Sequence, residues 1–189
     1  SRSDAAEGPF TDYFGKAEKD TTNNFPILTA PYRFENHPGW AGTAHCGVFT
    51  DGQGNYFMAH QGRLSPQNQL MVLHVRQLFF TPDGWPVVSP ERYAGTPPRE
   101  FTEADLVGEW EIIRVQEPKY ERQLEAGQIL WGEGELKDGE WNLSTRVNLA
   151  KNGTCAGEMT DDEWKNVQMN GNWSFLTDKR LLMVGSGKE

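Results

Sequence analysis

The chain has 189 residues, 37% hydrophobic and 12% aromatic, enough for one good-sized domain or two small ones with cores of their own. With 18 basic and 27 acidic residues it carries a net charge of -9, so it offers no basic footprint for a nucleic acid or an anionic membrane surface. No apolar run approaches the roughly 20 residues that span a bilayer, and the opening "SRSDAAEGPF" lacks the charged, apolar and small-residue regions of a signal peptide, so the chain reads as soluble.

In chain order, the first half is punctuated by Pro and Gly. Its apolar runs are short and rich in Val, Phe, Tyr and Leu, as strands are. "HCGVFT", "YFMAHQ", "QLMVLHVRQLFFT" and "WPVVS" are separated by "DGQGN", "GRLSPQN" and "PDG", which are hairpin spacings. Four strands joined in this way predict an antiparallel meander, the unit from which propeller blades are built. The stretch "SPERYAGTPPREFTEADLVGEW" then interrupts the pattern, and a domain boundary is placed near Thr96, giving parts 1–95 and 96–189. Up to Gly95 there are 7 basic and 9 acidic residues, and beyond it 11 and 18, so most of the negative charge lies in the second part.

That second part alternates. "GEWEIIRV", "QILWGEGEL", "EWNLSTRVNLAKNGTCAGEMT" and "GNWSFLTDKRLLMVG" predict at least six short strands, with no helix beyond a turn near "DDEWKN". Trp141, Leu143, Thr145, Val147 and Leu149 are predicted to share one face, and Trp110, Trp141 and Trp173 to fill the interior of a small antiparallel barrel or sandwich. Cys46 and Cys155 are too few and too far apart for a disulfide framework and are expected to be buried free thiols. The sequons at Asn142, Asn152 and Asn172 are accounted for by chance and turn chemistry.

Phosphate loops, paired CxxC motifs and HExxH are absent, which removes the common nucleotide, structural-zinc and zinc-protease assignments. Acidic charge, many aromatics and an all-β pattern suit sugar binding, although seven tryptophans in a β protein also suit a core. Asp51 and Asp83 stand before Gly in turns, Asp12 in a loop, and Glu91 beside Arg92, so none is a candidate catalytic acid.

The pieces "EGPFTDYFGK", "LTAPYRF", "GWAGTAHCGVF" and "QLMVLHVRQLFFTPDGWPVVSPERYAG" resemble the end of the catalytic domain of glycoside hydrolase family 43, especially its endo-α-1,5-L-arabinanases. The acidic part after Thr96 resembles the C-terminal β-barrel that some bacterial members carry. The resemblance implies an all-β protein, part of a five-bladed β-propeller followed by a small antiparallel β-barrel. It implies hydrolysis of arabinan with inversion, by a general base and a general acid set apart to admit water. By their order along the family's chain the catalytic carboxylates precede Ser1, so no catalytic residue is expected within these 189 residues, and a fragment of a longer secreted or periplasmic bacterial enzyme is expected, with the remainder of the propeller and a plant cell-wall polysaccharide as partners. A family member acting on xylan or arabinofuranosyl side chains is the alternative within the enzyme class. A non-catalytic carbohydrate-binding or interaction protein is the alternative outside it.

The resemblance also assigns roles to histidines. His45 matches the imidazole that binds a metal ion, usually calcium, below the family's active-site centre; a hydrogen-bonded strand histidine is the competing assignment. His60 and Arg63, at the end of the returning strand, and His37 and Trp40, in "NHPGW", are candidates for facing the substrate, while His74 is expected to be packed.

Overall fold

The computed structural model describes residues 1–17, 27–64, 70–96, 100–115, 141–161 and 165–175, with the backbone of 182–186. Its strands form two sheets. The first is built from the predicted meander: β1 (Tyr32–Arg33), β2 (Trp40–Thr50), β3 (Tyr56–Leu64), β4 (Met71–Phe80) and β5 (Pro86–Val88), each antiparallel to the next. The turns form where the Asp residues stand. Asp51 accepts hydrogen bonds from the backbone of Gln53 and Asn55 and from the Asn55 amide, and Thr81 joins Asp83 and the Trp85 backbone. Both carboxylates are thereby turn residues, as expected.

The second sheet takes β6 (Gly108–Ile112), β8 (Thr145–Leu149), β9 (Thr154–Thr160), β10 (Asn166–Phe175) and β11 (Leu182–Ser186) in the order β11-β10-β9-β8-β6, all antiparallel. Its core is a cluster of Leu106, Val147, Leu149, Cys155, Met169 and Trp173. The Trp173 indole donates to the Ala150 carbonyl at 2.9 Å, which satisfies its only polar group within that core. Gly157 is required here because a β-carbon would stand 2.2 Å from the Arg146 carbonyl oxygen on the neighbouring strand.

A short helix, α1 (Glu103–Leu106), was not expected from the strand-like pattern. It forms because the Asp105 carboxylate accepts from both the backbone and the hydroxyl of Thr102, closing one turn that delivers Leu106 into the core. The turn expected near "DDEWKN" falls on residues 162–164, outside the described residues; at its ends the Asp161 backbone donates to the Lys165 carbonyl at 2.8 Å. The strand expected over 128–136 lies outside the described residues.

The two sheets are joined by β7 (Asn142–Leu143), which pairs in parallel with β1 at the edge of the first sheet. The Asn142 amide and backbone both donate to the Pro31 carbonyl at 2.9 Å, and the Ser144 backbone donates to that of Arg33. This corrects the expected single face. Thr145, Val147 and Leu149 are buried, but Asn142 is buried and Leu143 exposed, because the alternation changes phase at Ser144, where the chain passes between sheets. Trp141, 2% exposed, packs against Gly39 and below the Arg33 guanidinium, so it fills the junction rather than a barrel interior. Trp110 stands opposite the buried Val147, on the core side of the sheet, but on the end strand β6 its ring stays 43% exposed with its indole bonded to the Leu106 carbonyl, so of the three only Trp173 joins the buried cluster. Cys155 is buried as expected, but Cys46 is exposed, because most of β2 faces outward. Both are free thiols.

Candidate functional site

The candidate residues fall on the first sheet, and strand alternation decides which of them meet. Trp40 on β2, His60 on β3 and His74 and Arg76 on β4 occupy one face, with His60 directly opposite His74 across the ladder. All four are buried, and His74 has no exposed surface. The Trp40 ring meets His74 edge-on at 4.3 Å, the two imidazoles lie 5.0 Å apart, and His37 lies 5.8 Å from Trp40. Arg92 covers the outer side of the Trp40 ring. Gly62 leaves the space that His74 fills, since a β-carbon there would stand 2.5 Å from Nε2.

Hydrogen bonds set the protonation states. His60 Nδ1 lies 2.7 Å from the Gln61 carbonyl, to which only a protonated nitrogen can donate, so Nε2 is left as a buried acceptor. Burial pushes the His60 imidazole below its ordinary pKa, and it pushes His74 down to about 4, with Arg76, His60 and Arg92 adding to the effect. Both histidines are therefore neutral at physiological pH. Arg76 Nη2 donates to the Tyr32 hydroxyl at 2.9 Å, and burial, with Glu91 nearby, raises Tyr32 to about 12 against the lowering pull of Arg76. Trp40 Nε1, His60 Nε2, both His74 ring nitrogens and Arg76 Nε are buried without a hydrogen-bond partner among the described residues.

His45 and Arg63 stand apart from that layer. Two register shifts interrupt the β2–β3 ladder between Ala41 and Gly47, and His45 adopts φ 54° within the bulge, with its side chain exposed. A non-glycine residue in the left-handed region is uncommon on a strand and marks a locally constrained position. Arg63 lies opposite Ala41 and runs its stem beside Gly42. His37 is half-buried at the mouth of the layer, and its Nδ1 accepts from the Gly39 backbone at 2.9 Å. The structure thus brings together Trp40, His37 and His60, adds His74, and leaves His45 on the exposed bulge. Arg76, Tyr32 and Arg92 were not among the candidates. The spacing "HVR" on a predicted strand could have placed Arg76 on the His74 face.

Among the described residues no carboxylate pair suited to glycoside hydrolysis stands at this site. Asp12 is buried but accepts from the backbones of Phe14 and Lys16, a loop-stabilising role. Among the described residues no group of three or more His, Cys, Asp or Glu side chains stands together as a metal cage. Calcium takes six to eight oxygen ligands, and at this position the described residues offer the single imidazole of His45 on the exposed bulge.

Residues 90–187 match the family described as a C-terminal lipocalin-like domain, GH43_C. The extracellular endo-α-(1→5)-L-arabinanase 2 of Bacillus subtilis is 26% identical over 177 residues, covering 88% of this chain and 34% of that protein. An extracellular endo-α-(1→5)-L-arabinanase of Thermotoga petrophila is 30% identical over 76 residues, 40% of this chain and 16% of that protein. A family 43 glycoside hydrolase structure from Bacillus licheniformis superposes with a TM-score of 0.62 at 19% identity, over 95% of this chain and 43% of its own. The Thermotoga petrophila endo-1,5-α-L-arabinanase structure gives 0.62 at 18%, over 90% and 40%. The chain spans about a third of the length of the Bacillus subtilis relative. It belongs to glycoside hydrolase family 43 as the C-terminal part, the family of the lipocalin-like domain that its residues 90–187 match.

Proposed function

We propose that this chain is the C-terminal part of a secreted inverting α-1,5-arabinanase whose catalytic carboxylates lie outside these 189 residues. The observation that carries the proposal is the likeness to the Bacillus subtilis extracellular arabinanase along nearly the whole chain. Two features support it. Asp12, Asp51, Asp83 and Glu111 are held by loop, turn and junction hydrogen bonds, which suits a structural role for these carboxylates. Phe49, Met71 and Leu73 expose apolar surface from the meander, as a blade does where a neighbouring blade would cover it. In this role the first sheet supplies the edge of the substrate cleft through His37, Arg63 and the Trp40–His60 layer. His45 supplies one ligand to a calcium ion, and the second sheet, tied to the first through β7, supports it.

The experiment is reducing-sugar release from debranched arabinan and from arabinoxylan by the intact protein and by the 189-residue chain. Release from arabinan by the intact protein alone is the expected result. Activity confined to arabinoxylan would overturn the substrate assignment, and activity of the chain alone would overturn the placement of the carboxylates. For the metal, titration of calcium into the intact protein and its His45→Ala variant should show weaker binding in the variant with an unchanged thermal transition.

A further inference from the structure

On the same face as the imidazoles lies a cavity of about 540 Å³ that none of the site assignments uses. Its size is within the range of small-molecule sites, roughly 300–1,000 Å³. Its walls are aromatic and branched: Tyr32 and Phe34 from around β1, Trp85 and Val88 around β5, and Ile113 just beyond β6. Such a lining offers a polysaccharide few hydroxyl partners. Among the described residues its one cation is Arg76, 3% exposed, and this residue is incompletely satisfied. Nη2 donates to Tyr32, Nη1 reaches the Ser89 carbonyl only at 3.5 Å, and Nε has no partner among the described residues.

A buried guanidinium with an unused donor is costly, and a carboxylate answers it best, because two oxygens can take the Nε and Nη edge as a parallel pair. Two acids bear on the cavity. Glu111 lines it but is held by the Ser144 hydroxyl and the Glu35 backbone, while Glu91 is exposed and acts on Arg76 and Tyr32 from the outer side. Neither supplies the missing acceptor to Nε. We infer that this cavity is a binding site for an aromatic monocarboxylate, its ring held between the Tyr32, Phe34 and Trp85 side chains and its carboxylate on the Arg76 guanidinium. Arg76 shares a face with Trp40 and His60, but none of the residues proposed to contact substrate or metal, His37, Trp40, His60, Arg63 and His45, lines this cavity, so the inference stands apart from the proposed hydrolysis.

The test uses trans-cinnamate and cinnamyl alcohol as probes, with binding to the intact protein followed by calorimetry and by saturation-transfer NMR. Both share the ring and differ in the charged end. Cinnamate should bind saturably, and the alcohol at least about tenfold more weakly, as expected for loss of a hydrogen bond to a charged group. Val88→Phe, which fills the cavity, should weaken cinnamate by a similar factor, and Arg76→Gln should abolish the preference for the acid. Equal affinity for acid and alcohol would overturn the role of Arg76, and absence of saturable binding, or binding unchanged by Val88→Phe, would overturn the site. Because the comparison of acid with alcohol is made on the unsubstituted protein, it decides the matter even if Arg76→Gln does not fold.

Discussion

The contact between Gly39 and Trp141 is the sharpest test of how the two sheets are held together. Gly39 has φ 91°, and a β-carbon there would lie 2.5 Å from Cζ3 and 2.7 Å from Cη2 of an indole that is only 2% exposed. Removing the indole by Trp141→Ala should cost about 3–5 kcal/mol, the range for buried aromatic truncations. Gly39→Ala combines two penalties: about 1–2 kcal/mol for an L-residue at positive φ, and about 1–3 kcal/mol for overpacking against a ring with no room to retreat. In the double variant the second penalty disappears, because the ring is gone. The two changes should therefore fall short of additivity by about 1–3 kcal/mol. Urea denaturation followed by far-UV circular dichroism reads all four corners of the cycle, with the m-value checked for constancy. Additivity within about 0.5 kcal/mol would mean that the two residues do not touch, and the proposed docking of the second sheet through this junction would fail with it.

Three further outcomes follow from the same structure. His74 is held at about 4, below the ordinary value near 6.5, by burial and by Arg76, His60 and Arg92; the unfolded chain therefore takes up a proton first as pH falls. Stability should be full above about pH 6.5 and decline by up to roughly 3 kcal/mol towards pH 4, and His74→Gln should flatten that decline; an unchanged slope in denaturation midpoints against pH would refute it. Native protein should react quickly with a thiol reagent at the exposed Cys46, whereas Cys155, buried and with its thiol pKa raised by that burial, should react only on unfolding, so mass-mapped labelling at equal rates would contradict the assigned core. Gly157→Ala should destabilise by several kcal/mol, because its β-carbon meets backbone rather than a movable side chain; a shift in thermal midpoint of only a degree or two would place β8 and β9 differently.

The meander was legible in the sequence because its signals are local. Alternation over four to ten residues, Asp-Gly and Pro-Asp-Gly turns and β-branched runs each depend on neighbours in the chain, and β2 to β5 lie where those signals put them. The same holds for the Thr145, Val147 and Leu149 face. Family membership was legible too, since the quoted motifs carry it independently of packing. The changes of partner were not legible. Asn142 looks like a polar position on a strand of the second sheet, yet its amide binds Pro31, 111 residues away, and the resulting parallel β1–β7 pair moves Trp141 from a barrel core to the junction. Likewise, His74 and Arg76 look like ordinary strand residues until the ladder sets His74 beside His60 and β1 brings Tyr32 over Arg76. Periodicity states which side chains share a face, but which other segment covers that face depends on contacts between residues far apart in the chain, and only the tertiary structure decides them.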